Sequence, residues 1–165
     1  MQFMLLTLAR RDEVAEARRR DVRNGVWVIP TTKSGREHRL ALPRQALALL
    51  TLDGDGDTRL FPNARGGKLG NWDRETKLIR EKCGLAHFTR HDLRRTGATM
   101  LGEMGVEPHI IEAALNHTSI HSSLASVYNR SRYSMPVANA LEKLADILDG
   151  TAGAENVLPF GREAA

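Results

Sequence analysis

Read for its apolar spacing, the chain is a series of helical stretches interrupted by one short block of strand period. Met1 to Leu8 is almost wholly apolar and reads as the end of a helix that begins upstream. Asp12 to Arg20 continues or restarts helix, with Val14 and Ala17 on one face and charges on the other. From Asp21 to Pro30 the period changes to that of strand. Val22, Val26, Val28 and Ile29 are β-branched, and Asn24-Gly25 between them predicts a tight hairpin turn. A second turn at Lys33-Ser34-Gly35 leads into residues 37–42, where His38, Leu40 and Leu42 alternate with more polar neighbours. Together these segments predict a three-stranded antiparallel sheet.

The remainder reads as helix and loop. Pro43 opens a helix to about Leu50, since proline suits the first helical turn. Residues 53–70 are rich in Gly, Asp, Asn and Pro and predict a loop, with Leu60 and Phe61 tucked inward. Asn71 caps a helix to about Lys82 that Gly84 ends. After an extended piece at His87-Phe88-Thr89, His91 opens a helix that runs to about Met104 and stops at Gly105. Pro108 starts another, with Ile110, Ile111 and Leu115 inward. A short helix is expected over Ser119 to Tyr128, and an amphipathic one over Met135 to Leu148. The predicted class is mainly α (α+β): a helical bundle with a small sheet near its N-terminus. Residues 1–149 are expected to form one domain and residues 150–165 a flexible tail.

Composition bounds this picture. A chain of 165 residues with 41% apolar and 27% charged positions suits one globular domain with a real core. No apolar run approaches the roughly 20 residues that cross a bilayer, and Met1 to Leu8 lacks the basic leader and cleavage site of a secretory signal. Cys83 is alone, so an intrachain disulfide is excluded and a cytoplasmic setting is expected. No Cys/His cluster has zinc-ligand spacing, and residues 53–57 lack the closing Glu of a calcium loop. No metal or cofactor is expected. Charge is uneven. Residues 1–100 hold 20 Lys/Arg against 12 Asp/Glu, and residues 101–165 hold 4 against 8, within a net of +4. A basic front and acidic rear suit either a polyanion-binding surface or an ordinary solvated one.

The residues able to do chemistry fall in a suggestive order. Breaking a phosphodiester without metal requires cationic donors for the non-bridging oxygens, a nucleophile, and an acid for the leaving oxygen. Arg10 and Arg94 suit the first role, because a guanidinium fork binds phosphate bidentately and stays charged. His91 and Arg94, three apart on a helix, project from one face. Tyr128 is a candidate nucleophile if held beside positive charge, with His91 as its base. Tyr133 is the rival. Lys33, in a hairpin turn, has the reach to enter a DNA groove, and His117 ends a helix where an imidazolium is favoured. Each also has a structural reading: a surface ion pair for Arg94, a helix cap or core residue for His91, a satisfied core tyrosine for Tyr128, a solvated turn for Lys33, a cap for His117.

The set as a whole resembles the catalytic domain of the tyrosine recombinase (phage integrase) family, over roughly residues 3–148. Residues 7–13, Thr-Leu-Ala-Arg-Arg-Asp-Glu, resemble the family's Thr-Gly-x-Arg-x-x-Glu box and imply Arg10 as its first catalytic arginine. Residues 32–39 resemble the hairpin whose lysine is the general acid, implying Lys33. His91-Asp92-Leu93-Arg94-Arg95-Thr96 is similar to the second box and implies His91 and Arg94. Leu115-Asn116-His117 is similar to the Leu-Gly-His element and implies His117, and Ser126-Val127-Tyr128-Asn129-Arg130 implies Tyr128 as nucleophile. Three positions depart from the pattern: Leu8 and Asn116 stand for glycines, and Arg19 for a tryptophan. Asn can still adopt a left-handed conformation at a helix end.

The resemblance implies double-stranded DNA as partner, a 3′-phosphotyrosyl intermediate, and prophage or genomic-island integration or excision. It also implies a tetramer on DNA for a full-length enzyme, with a monomer or weak oligomer for this domain alone. The first box lies almost at Met1, so the chain is expected to be a fragment without its N-terminal DNA-binding domain. Two other functions are compatible with these residues: relaxation of supercoils in the manner of a type IB topoisomerase, and a non-catalytic DNA-binding remnant.

Overall fold

A computed structural model describes residues 1–32, 35–117 and 133–150. Among the described residues there are seven α-helices and a small antiparallel sheet. The helices are α1 (Gln2–Thr7), α2 (Arg11–Glu16), α3 (Arg44–Leu47), α4 (Trp72–Cys83), α5 (Arg90–Glu103), α6 (Pro108–Ala114) and α7 (Ser134–Leu148). The strands β1 (Val22–Arg23), β2 (Val26–Ile29) and β3 (His38–Ala41) lie in the order β1-β2-β3. The helical bundle with its small sheet is as the sequence predicts. No helix among the described residues is long and apolar enough to cross a membrane. The helix expected over Ser119 to Tyr128 and the tail from residue 151 onward lie outside the described residues.

The sheet follows from local chemistry. Asn24 and Gly25 both take positive φ, 50° and 75°, the geometry of a two-residue hairpin turn. Trp27 pairs with Leu40 and Ile29 with His38, so these four side chains share the inward face. Trp27 and Leu40 are both 1% exposed. Phe3 of α1 meets the Trp27 ring edge-on at 5.3 Å and the Phe61 ring at 4.9 Å. Leu60 and Phe61 pack partly buried against the core, as their place in an otherwise polar loop predicts. Leu101 of α5 and Leu141 and Leu144 of α7 complete the centre, none more than 0% exposed.

One helix is shorter than its period suggests. α2 ends at Glu16, and Arg19–Asp21 form a single 3₁₀ turn, where apolar spacing predicts helix to Arg20. The backbone of 17–20 is instead satisfied by the loop. The Leu60 N–H donates to the Ala17 carbonyl at 2.9 Å, and the N–H groups of Arg19 and Arg20 donate to the Thr58 and Gly56 carbonyls at 3.0 Å each. Similarly, α3 gives way after Leu47 to tighter turns, Leu49 N–H to Ala46 and Leu50 N–H to Leu47. α4 is bounded as expected, by the Asn71 side chain accepting from the Arg74 N–H at 3.3 Å and by Gly84 at φ 61°.

α5 carries the second box. It starts at Arg90, one residue before the expected His91, because Thr89 is the cap. Thr89 Oγ1 accepts from the Asp92 N–H, and Asp92 Oδ2 accepts from the Thr89 N–H at 2.7 Å. This reciprocal pair satisfies two otherwise orphaned donors. It also removes the capping role from His91, which lies exposed in the first turn.

Candidate active site

Two helices end in left-handed residues that are not glycine. α1 is closed by Leu8, φ 54°, and α6 by Asn116, φ 46°. At α6 the N–H groups of Asn116 and His117 return to the carbonyls of Ala113 and Glu112, both at 3.0 Å. That is the paired hydrogen-bond pattern of a Schellman ending with Asn116 at its left-handed position. Both terminations turn a carbonyl inward, that of Leu8 in one case and Leu115 in the other.

Arg94 bridges these two ends. It is 5% exposed, and its Nη1 donates to the Leu8 carbonyl and its Nη2 to the Leu115 carbonyl. Carbonyls at helix C-termini carry partial negative charge and favour a cation. Two of its five guanidinium donors are thereby used. Burial, reinforced by the nearby positive charge of Arg10, lowers the Arg94 pKa to about 10. The side chain therefore stays charged at neutral pH. An exposed ion pair, one of the readings open for Arg94 in the sequence, does not describe this residue.

Arg10 lies two residues after Leu8, at the start of α2. Glu13 holds it twice: Oε2 accepts the Arg10 backbone N–H at 2.8 Å, and Oε1 accepts from Nη1 at 3.1 Å. The Glu13 side chain is 8% exposed and that of Arg10 29%, so the carboxylate is buried beneath a guanidinium that still reaches solvent. His117 lies two residues after Leu115, with Nδ1 3.0 Å from Glu112 Oε2. The carboxylate draws a proton to Nδ1 and leaves Nε2 directed elsewhere. Arg94 thus joins, through backbone carbonyls, the segment that carries Arg10 to the segment that carries His117. His91 lies one turn before Arg94 on α5. Lys33 and Tyr128 lie outside the described residues.

Tyr133, the rival nucleophile, is engaged elsewhere. It caps α7 and packs against the core, its ring 5.0 Å from that of His109 in the first turn of α6. His109 and His117 are separated by eight residues along one helix and its ending, roughly 12 Å at the helical rise.

Sequence reasoning passed over His38. Its ring faces inward from β3, and burial pushes its pKa down, opposed by the Ala114 carbonyl and Glu13 and assisted by Arg94 and Arg10. Among the described residues His38 Nε2 is buried without a hydrogen-bond partner. The available signal was parity, because His38 alternates in phase with Leu40 and Leu42 on the inward face. Glu112 was invisible for another reason: its pairing with His117 depends on how α6 ends.

The chain matches the family model described as Phage integrase family over residues 1–135. It is 32% identical over 139 residues to the prophage integrase IntA of Escherichia coli (strain K12), covering 79% of this chain and 33% of that protein. The chain thus spans about a third of the length of that curated relative. In fold it is similar to an integrase from mycobacterium phage Brujita, with a TM-score of 0.62 at 17% identity, covering 99% of this chain and 52% of the other. It is also similar to the XerH site-specific recombinase bound to a palindromic difH substrate in a post-cleavage complex. There the TM-score is 0.53 at 21% identity, with 88% of this chain and 44% of the other covered.

Proposed function

Because the chain belongs to the phage integrase family, we propose that residues 1–149 are the catalytic unit of a site-specific DNA recombinase acting through a 3′-phosphotyrosyl intermediate. The observation that carries this reading is the buried Arg94 fork. It ties the Arg10 segment to the His117 segment and concentrates two guanidinium charges at one place.

The proposed reaction has two balanced steps. The Tyr128 hydroxyl oxygen bonds to the scissile phosphorus as the P–O5′ bond breaks, and its electron pair leaves with O5′. The phenolic proton is taken up with the help of His91, and Lys33 supplies a proton to O5′. A 5′ hydroxyl from another strand then reverses the attack and releases Tyr128. No bond energy is lost, so neither ATP nor a metal is required by the balance. Arg10, Arg94 and His117 hold the non-bridging oxygens, where loss of one positioned donor typically costs roughly 10²–10³ in rate. The placing of Tyr133 at the far end of α6 favours Tyr128 as nucleophile. The partner is double-stranded DNA. A tetramer on DNA is proposed for the full-length enzyme, and integration or excision of a prophage or genomic island as its role.

Covalent capture tests the assignment. A pool of nicked duplexes, randomised around the nick, loses the short strand after cleavage and so traps the protein. We expect an SDS-resistant protein–DNA band from the 165-residue chain and none from Tyr128→Phe, with DNA affinity nearly unchanged. A band of equal yield from Tyr128→Phe refutes the assignment and points to Tyr133. The captured sequence then supplies two-site joining and supercoil-relaxation substrates, which separate a recombinase from a topoisomerase-like enzyme.

A further inference from the structure

Asn116 makes a contact that a glycine could not. Its Nδ2 donates to Thr32 Oγ1 at 3.1 Å, across 84 positions of sequence. Thr32 is 6% exposed, and its Oγ1 passes its own proton to the Arg36 carbonyl at 2.8 Å. That carbonyl also accepts the Thr32 N–H at 3.3 Å, and the Gly35 N–H returns to the Thr32 carbonyl at 2.8 Å. The polarity of the chain is therefore determined. With its proton committed to Arg36, the hydroxyl presents an acceptor to Asn116, so the amide NH₂ and not the amide oxygen faces it. Successive bonds of this kind, here partly buried, polarise and strengthen one another. The other arm of the hairpin meets the same helix end, where the Ala114 carbonyl faces the His38 ring on β3.

We propose that Asn116 is a positioning residue for the proton-delivery step. Its amide clamps the hairpin stem at Thr32, the residue before Lys33, to the end of α6, the residue before His117. One side chain thus couples the backbone preceding the general acid to the backbone preceding a phosphate-binding histidine. The left-handed conformation at φ 46° is what a helix end of this type needs, and Asn meets it while adding the amide. The inference rests on the assignment of Lys33 as acid.

The variants follow from the hydrogen-bond chain. Asn116→Gly keeps the left-handed backbone without difficulty and removes only the amide. Thr32→Val keeps the shape and removes the hydroxyl, and Thr32→Ser restores it. In the DNA-free chain, amide hydrogen exchange at Thr32 and Gly35 should rise about fivefold or more in Asn116→Gly and Thr32→Val. It should stay near wild type in Thr32→Ser. Unchanged exchange in Asn116→Gly overturns the clamp whatever the catalytic result.

Cleavage supplies the second readout. On a captured nicked duplex, Asn116→Gly should slow formation of the covalent complex by about ten- to a hundredfold, part of the loss typical of a displaced catalytic group. On the same duplex with sulfur replacing the bridging O5′, the thiolate leaves without a proton, and the deficit should largely vanish. Equal slowing on both substrates overturns the proposal. Lys33→Ala is the reference: if it is not slowed on the oxygen substrate, or not rescued on the sulfur one, the assignment of the acid fails. That failure shows in the lysine variant, whereas failure of the clamp shows in exchange.

Discussion

Arg94 has surrendered most of its hydration, and among the described residues it has no carboxylate within ion-pair distance. Two helix-end carbonyls replace the lost water, while Glu13 and Glu112 act on it from farther away. An unpartnered buried charge is costly, so each carbonyl is part of what allows a cation to be held here. His38 sits beside the same charges, and burial disfavours its charged form as well. Its pKa is below the ordinary value of about 6.5, so the unfolded chain takes up this proton first as pH falls. Stability contributed by the neutral ring is complete above about pH 6.5 and declines below it until the lowered folded value is reached. The carboxylates of Asp12, Glu16 and Asp92 are held below their usual range, Glu16 at about 2, so their losses come at lower pH. We expect the melting temperature to fall between pH 7 and 5, and His38→Gln to remove most of that slope. Parallel slopes in a calorimetric comparison would show that another group is responsible.

At the scale of elements, the crossing of α1 and α5 depends on Gly97. A Cβ there would lie 2.3 Å from Leu8 Cδ2 and 3.4 Å from Leu144 Cδ2. Leu8 occupies the space that Gly97 leaves, and it is 0% exposed. The leucine that departs from the family's first box is thus accommodated by a glycine that directly follows the second. Gly97→Ala should destabilise the fold by ~1–3 kcal/mol, the usual cost of overpacking. The penalty should be smaller in a Leu8→Gly background, and a double-mutant cycle in urea measures the difference. Additive effects would mean that the two positions do not share this space. Helix boundaries show the same dependence on distant partners. The period of Val14 and Ala17 correctly predicts helix, but nothing local announces that the backbone of residues 17–20 will bond to residues 56–60. The starts of α4 and α5 were legible because the caps are local, Asn71 with Arg74 and Thr89 with Asp92.

For the molecule as a whole, the basic residues are concentrated in the first hundred positions, the part that carries Arg10, Arg94, the sheet and its hairpin. Several are not committed to strong pairs: the Arg95 side chain is 75% exposed and only 3.6 Å from Asp92, also exposed. Under the proposed function such a surface would attract DNA by releasing counterions, and affinity would fall steeply with salt. We expect the isolated chain to bind duplex DNA weakly, with log affinity falling linearly against log salt with a slope of about −0.9 per phosphate neutralised. Tight, salt-insensitive binding in a titration from low to physiological salt would contradict this electrostatic reading.

What the sequence determined by itself was whatever depends on neighbours a few residues apart. Apolar period marked the helices and strands, Asn24-Gly25 marked the hairpin, and ordered short boxes marked the family and the candidate residues Arg10, Lys33, His91, Arg94, His117 and Tyr128. Tertiary structure alone decided which of those groups are buried and what holds them. It put the Arg94 fork between two helix ends, Glu13 beneath Arg10, His38 beside both arginines, and the Asn116 amide on Thr32. The physical reason is that a side chain's charge, hydrogen bonding and burial are set by atoms tens of residues away in the chain. A one-dimensional pattern specifies an element and its faces, but only packing brings the ends of α1 and α6 to opposite sides of one guanidinium.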